Sequence, residues 1–204
     1  MNQRKASQMK KMEKVLIDIT FDLLYKQGYC ATNIRDILEI ADITKGSMYY
    51  HFKSKHDLVL SSMKYYLEQI LKHHWIEPLE QSEKPIEALT QQIKLYQDMF
   101  TDPESFLDLK HGCPLSNFIL DMSDKDALFF EYLKDVYIRW EEAIEQALNK
   151  AKDLQQTKTD FNSEDQAVFI MSSLEGTIGS AKAFNDVKIL KRGISVLEEY
   201  ISRL

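Results

Sequence analysis

The sequence predicts an all-α protein, and three observations carry that prediction. Only 4 Pro and 6 Gly occur among 204 residues, far fewer turn signals than a hairpin-rich β fold requires. Apolar residues recur at steps of three and four, as in Leu190, Ile194, Leu197, Ile201 and Leu204, which is the helical period. No proline falls within 115–204, so long uninterrupted helices are permitted there. A composition of 44% hydrophobic and 28% charged residues is that of a globular chain with a real core.

The elements follow in order. Residues 8–28 read as an amphipathic helix with Val15, Ile17, Phe21 and Leu24 on its apolar side and Gly28 as its stop. Thr32 is an N-cap residue type opening a second helix, with Ile34, Ile37, Leu38 and Ala41 on one face. Asp42-Ile43 makes a short turn, where Asp tolerates the left-handed conformation. Thr44 then caps a short third helix, Lys45–Phe52, in which Ile37, Met48 and Phe52 are expected core. Two short helices joined by about three residues outline a helix-turn-helix. Its second helix would present Thr44, Lys45, Gly46 and Ser47, then Tyr49, Tyr50 and His51. Small hydroxyls and Gly allow close approach to a groove, while Lys, Tyr and His donate to phosphates. Charge agrees in sign: residues 1–60 hold 10 Lys and Arg against 7 Asp and Glu, and the rest 16 against 25.

Beyond Lys55 a helix runs to about residue 76, ended by Pro78. Pro85, Pro103 and Pro114 suggest helices over 85–100, 103–109 and 114–122, because proline suits a first turn. Ser123 caps a helix over 124–153, Ser163 and Gln166 form a capping box opening 163–184, and Asn185-Asp186 starts the last helix, running to Leu204. Two stripes, Ala167, Met171, Leu174, Ile178 and Ala181, and Leu190, Ile194, Leu197 and Ile201, suit packing against another helix. That helix could belong to this chain or to a second copy. Gly176 and Gly179 would thin one side for close approach.

The run Val15–Met63 resembles the DNA-binding domain of the tetracycline-repressor (TetR) family of bacterial transcription regulators. The match lies in its Gly-aromatic turn, the Thr before the second helix, and Lys-Gly-Ser-x-Tyr-x-x-Phe-x-x-Lys across the third. The resemblance implies DNA contacts by Thr32, Thr44, Lys45, Ser47, Tyr49, His51 and Lys55, and Gly46 and Tyr50 share that exposed helix. It implies a helix-turn-helix domain over 1–54, a helical regulatory and dimerisation domain over 55–204, and a homodimer on a palindromic operator in double-stranded DNA. The pairing helices would be the last two, with Leu174, Ile178, Leu190, Ile194, Leu197 and Ile201 at the interface. A small-molecule effector would sit among the aromatic and flexible residues of the middle helices. The candidates are Phe100, Phe106, Phe118, Met122, Phe129, Tyr137, Trp140, Phe169 and Met171, with Asn117 and Glu175 as polar partners.

His111-Gly112-Cys113-Pro114 resembles the Gly-Cys start of a regulatory-domain helix in a TetR subgroup, some members of which sense oxidants or electrophiles. A thiol at a helix N-terminus beside His111 would gain thiolate character and react ahead of Cys30. A packed, inert Cys113 is the other reading, and Lys182 is a possible charged partner. An enzyme is not expected. The chain has no phosphate-binding Gly loop, no Gly-x-Ser-x-Gly and no His-Glu-x-x-His. His73-His74 diverge on a helix and cannot share a metal. Neither metal nor cofactor is expected. The polar, basic N-terminus, the two cysteines and the lack of a long apolar run point to a cytoplasmic protein off the membrane. A DNA-bound structural or cell-division factor on the same fold is the alternative.

Overall fold

The computed structural model describes all residues except Met1, Asn2 and Thr159; side chains before Lys10, including those of the basic Arg4 and Lys5, lie outside the described part. Among the described residues the order is α1 (Gln3–Ala31), α2 (Ile34–Ala41), α3 (Lys45–His51), α4 (Lys55–Ile70), a π-helical segment (Leu71–Ile76), α5 (Glu77–Gln81), α6 (Pro85–Met99), α7 (Pro114–Met122), α8 (Ala127–Asp153), α9 (Ser163–Phe184) and α10 (Val187–Ile201). The class is all-α, as the sequence predicts.

Two apolar clusters organise the chain. Leu16, Ile37, Met48, Phe52 and Leu58 close the small core of α1–α3 with the start of α4. A much larger core runs from Phe21 through α4–α10 to Leu204. Helices α1 and α4 feed both, and they are clamped together. Tyr66 stacks on Phe21 at 4.0 Å between centroids, and its hydroxyl donates to Asp18 at 2.8 Å.

Gly28 breaks the regularity of α1 at φ +80°, ψ 173°, a region only glycine enters without strain. A Cβ there would lie 3.0 Å from Asp121 Oδ2. The break lets the Tyr29 N–H donate to that oxygen at 2.7 Å, fastening α1 to α7. Gly28→Ala is therefore expected to cost about 1–3 kcal/mol. A thermal melt matching wild type would show that the bend relaxes.

The chain passes Pro78 instead of stopping at it. Proline has no N–H and crowds the carbonyl four residues back. The backbone responds by widening over Leu71–Ile76, where the Glu77 N–H reaches Lys72 O, and Pro78 then sits in the first turn of α5. The expected helix over 103–109 is absent. Asp102, Ser105 and Asp108 side chains accept from the N–H groups two residues on, at 2.8–3.1 Å, and such local bonds compete with the helical ladder. Three caps also differ. Asp126 caps α8 in place of Ser123, Asn162 caps α9 in place of Ser163, and Asn33 stands before α2 in place of Thr32.

The seam assigned to a second copy is internal. Leu174, Ile178, Leu190, Ile194, Leu197 and Ile201 are all buried within one chain, where α9 and α10 pack on each other and against α8 and α6. Gly193 is the residue that permits close helix approach, being pressed against Thr177, whereas Gly176 and Gly179 face open space.

Candidate DNA-binding face and effector cavity

The turn before α3 is built as its residues dictate. Asp42 takes the left-handed conformation at φ 51°, ψ 49°, and the Thr44 hydroxyl accepts from Ser47 N–H at 3.3 Å. Met48 and Phe52 anchor the inner side of α3, so Lys45, Gly46, Tyr49 and Tyr50 face outward, with Thr44 exposed and Ser47 half-buried. Tyr50 is 71% and Tyr49 42% exposed; side chains this large and apolar are left in solvent at an interaction surface.

Three of the expected contacts are engaged elsewhere. Thr32 is fully buried, and its hydroxyl donates to Gly28 O at 2.8 Å, satisfying a carbonyl at the α1 break. The His51 side chain is only 6% exposed and faces Glu13 on α1 at 3.4 Å. Lys55 turns back to α1, its ammonium donating to Tyr29 O at 2.7 Å and lying over the Tyr29 ring at 4.2 Å. Asn33 and Arg35 are exposed polar groups the sequence reading passed over, and Lys53 is exposed beside them. Arg35 could have been found from its place beside the apolar face of Ile37, Leu38 and Ala41 on the α2 wheel.

In the regulatory body the proposed pocket residues disperse. Phe118 meets Phe21 edge-on at 5.8 Å, and Phe106, 42% exposed, lies against Phe21 and Tyr66. Phe100, Met122, Phe129 and Met171 are plain core, Phe169 is exposed on α9, and Tyr137 borders a shallow surface cleft with Phe130 and Ile138. Asn117 donates to His111 O and accepts from Lys182 Nζ at 3.0 Å. Trp140 alone lines the enclosed cavity, with Trp75, Tyr96, Leu71, Leu115 and Val136. The room there is about 20 Å³, enough for about one water. Trp75 was missed because residues 55–76 read as a connector, and Tyr96 because Phe100 was the residue chosen from the helix expected over 85–100.

The Cys113 thiol is enclosed and not presented to solvent. It stands at the N-cap of α7 but is buried. Burial, then the neighbouring Glu175 carboxyl, push its pKa far above the ordinary thiol value. A helix N-terminus favours a thiolate, yet desolvation outweighs it here. The exposed cysteine is Cys30. Lys182 packs over Gly112, where a Cβ would be 2.9 Å from its Cδ, and its ammonium goes to Asn117.

The cavity wall meets the DNA-binding module along α4, whose Leu67 and Ile70 line the cavity and whose Leu58 enters the small core, and through one side chain of α1. Tyr25, on α1, places its buried hydroxyl 2.6 Å from Gly112 O and 3.0 Å from Asp108 O, and accepts from Asp108 N–H at 3.1 Å. Gly112 precedes Cys113, whose thiol is 3.4 Å from the Tyr96 hydroxyl. Among the described residues no helix is long and apolar enough to cross a membrane.

Comparison with known proteins agrees with this arrangement. The family model described as bacterial regulatory proteins, tetR family, matches residues 16–61, and that for the tetracyclin repressor-like C-terminal domain matches 85–197. An uncharacterized HTH-type transcriptional regulator in the lacX 3′ region of Lactococcus lactis subsp. lactis is 26% identical over 186 residues, 91% of this chain and 90% of its own length. The HTH-type transcriptional repressor DhaR of Mycobacterium sp. (strain GP1) is 21% identical over 185 residues, 90% of this chain and 89% of the relative. The crystal structure of a TetR transcriptional regulator from Chloroflexus aurantiacus superposes with a TM-score of 0.85 at 20% identity, covering 97% of each chain. The chain belongs to the TetR family of transcriptional regulators.

Proposed function

We propose that the chain binds a palindromic operator as a homodimer through α3 and, as a repressor, releases it when a small molecule enters the regulatory body. The carrying observation is the outward presentation of Lys45, Gly46, Tyr49 and Tyr50 on a helix whose opposite side is locked by Met48 and Phe52. Its output is occupancy of DNA in the cytoplasm, with no catalytic step. The division between DNA-binding and regulatory parts falls at 54/55, where Ser54 caps α4.

The second copy would cover the outer side of α9 and α10. That side is made of Gly176, Gly179, Ser180, Phe184 and Val196, with the apolar members left in solvent. Small residues there let paired backbones approach. Two recognition helices must be about 34–36 Å apart to enter successive major grooves, so a small pivot of α1 and α4 is enough to end binding. Pro114 and Leu115 of the cavity wall begin α7, which is joined to α1 through Gly112–Tyr25 and Asp121–Tyr29.

Lys45→Ala is expected to weaken operator binding by about 1–3 kcal/mol with the fold intact, as for loss of one base contact. The assay is gel shift at fixed salt on DNA upstream of the chain's own gene. Unchanged affinity in both Lys45→Ala and Tyr49→Ala would take α3 out of the groove.

A further inference from the structure

A separate cleft lies open between α1, α7 and the end of α9, with room of about 400 Å³. Three lysines line it, Lys26 from α1, Lys110 from the loop before α7 and Lys182 from α9, against one carboxylate, Asp121. That balance is the reverse of the surrounding chain, since residues 61–204 hold 16 Lys and Arg against 25 Asp and Glu. Asp121 is already committed. Its oxygens accept from Lys125 Nζ at 2.8 Å and from the Tyr29 N–H at 2.7 Å. Lys26 pairs with Asp22 at 2.6 Å, but both side chains are more than half exposed, and such a pair is worth little.

Lys182 is held in place by its surroundings. Its stem lies on Gly112, where a Cβ would come within 2.9 Å of its Cδ. Gly112 takes φ +73°, which glycine adopts without strain. The Lys182 ammonium donates to Asn117 Oδ1 at 3.0 Å, and Asn117 is fixed in turn by donating to His111 O. A neutral amide orients the ammonium without cancelling its charge, and two of its three N–H groups are left over. Lys110 stands two residues before Gly112, and among the described residues its ammonium has no partner. Neither lysine has a carboxylate beside it. Ammonium groups gathered without a counter-ion repel one another, and a bound anion ends that repulsion.

We infer that this cleft binds a small phosphomonoester, its phosphate between Lys110 and Lys182 and its organic part toward α1. Lysines act on phosphate as point charges and lack the fixed fork that matches a flat carboxylate. Two of them on either side of one glycine suit a single group that carries two charges. The site is distinct from the enclosed cavity among Trp75, Trp140 and Tyr96. Its consequence for DNA rests on the ligand-responsive function proposed above. The cleft touches both links between α1 and α7, Tyr25 on Gly112 and Tyr29 on Asp121, so a ligand there bears on the joint between the two parts.

The test is isothermal titration calorimetry on the full chain at constant ionic strength. Glycerol 3-phosphate, a dianion at about pH 8, is compared with neutral glycerol and with succinate, whose two charges sit at opposite ends. Wild type is expected to bind glycerol 3-phosphate saturably and glycerol not at all, with succinate weaker than the phosphate. Lys182→Met keeps an apolar stem on Gly112 and removes the charge. It and Lys110→Met should each weaken binding about tenfold, the worth of one charge-assisted hydrogen bond. Lys94→Met, which removes an exposed lysine of α6 outside the cleft, should change nothing. No saturable binding by wild type, succinate bound as tightly as glycerol 3-phosphate, or a loss in Lys94→Met equal to that of the cleft variants overturns the assignment. If Lys182→Met does not fold, Lys110→Met decides alone, since Lys110 is an exposed loop residue. Operator affinity with and without glycerol 3-phosphate is scored separately by gel shift at the same ionic strength. Saturable binding with unchanged operator affinity would cut the cleft off from the ligand-responsive function and leave the site standing.

Discussion

Ile194→Ala is expected to lower the melting temperature by roughly 5–15 °C, because deleting buried methylenes costs about 2–5 kcal/mol and each kcal/mol is worth about 2–4 °C in a chain of this size. Ile194 is buried on the side of α10 that meets α9 and the core. Val196, two residues on, is 68% exposed. Val196→Glu should therefore leave the helical signal and the fold of a single chain intact while shifting the protein from dimer to monomer. The pair separates two roles that the stripe on α10 could have played. Circular dichroism melts and sedimentation velocity on both variants make the distinction. A mild melt for Ile194→Ala with loss of the dimer would restore the seam to the interface. A dimeric Val196→Glu would place the second copy on another face.

That reversal shows what a sequence pattern does and does not encode. Steps of three and four in Leu190, Ile194, Leu197 and Ile201 state that the stripe is covered, without stating by what. The outer side of α9 carries apolar side chains only toward its ends, Phe169 and Phe184, with Ser172, Ser173, Gly176 and Ser180 between them. The DNA-binding module was far more legible because its rules are local. Asp42 in the left-handed turn and Thr44 as a cap depend on neighbours within four residues, and both are found as expected. The partners of His51 and Lys55, Glu13 and Tyr29, lie 38 and 26 residues away, and no local rule reveals them, whereas the Thr32 hydroxyl bonds Gly28 four residues back. The effector cavity was least legible. Trp75 and Tyr96 meet across two separate helical segments, and Glu175 meets Cys113 across 62 positions of chain. A helix N-terminus promised a thiolate at Cys113, but burial by distant helices decides its state.

Tyr25→Phe is expected to separate effector occupancy from DNA release. The hydroxyl is the only atom the substitution removes, and it serves Gly112 O, Asp108 O and the Asp108 N–H at once. Losing it leaves Gly112 O and the Asp108 N–H without that partner, while Asp108 O keeps the His111 and Gly112 N–H groups, at a cost of roughly 2–4 kcal/mol, since each unsatisfied group costs about 1–3. The melt should fall accordingly, yet α3 and its packing on Leu16 and Ile37 are untouched, so operator affinity without effector should stay near wild type. The response should not. A movement of Pro114 and Leu115 at the cavity wall reaches α1 through Gly112 and Tyr25, and coupling between two sites of a regulator is typically worth about 1–3 kcal/mol, a factor of 5–150 in affinity. With a small molecule that releases the operator from the wild-type chain, the drop in operator affinity should shrink about tenfold or more in Tyr25→Phe. The comparison must be made at equal cavity occupancy, so that weaker effector binding is not mistaken for weaker transmission. A response of wild-type size would transfer the coupling to the other link between α1 and α7, the Tyr29 N–H on Asp121 at 2.7 Å. Asp121→Asn, which retains an acceptor oxygen there, would then be the milder of two changes and Asp121→Ala the one that silences the effector.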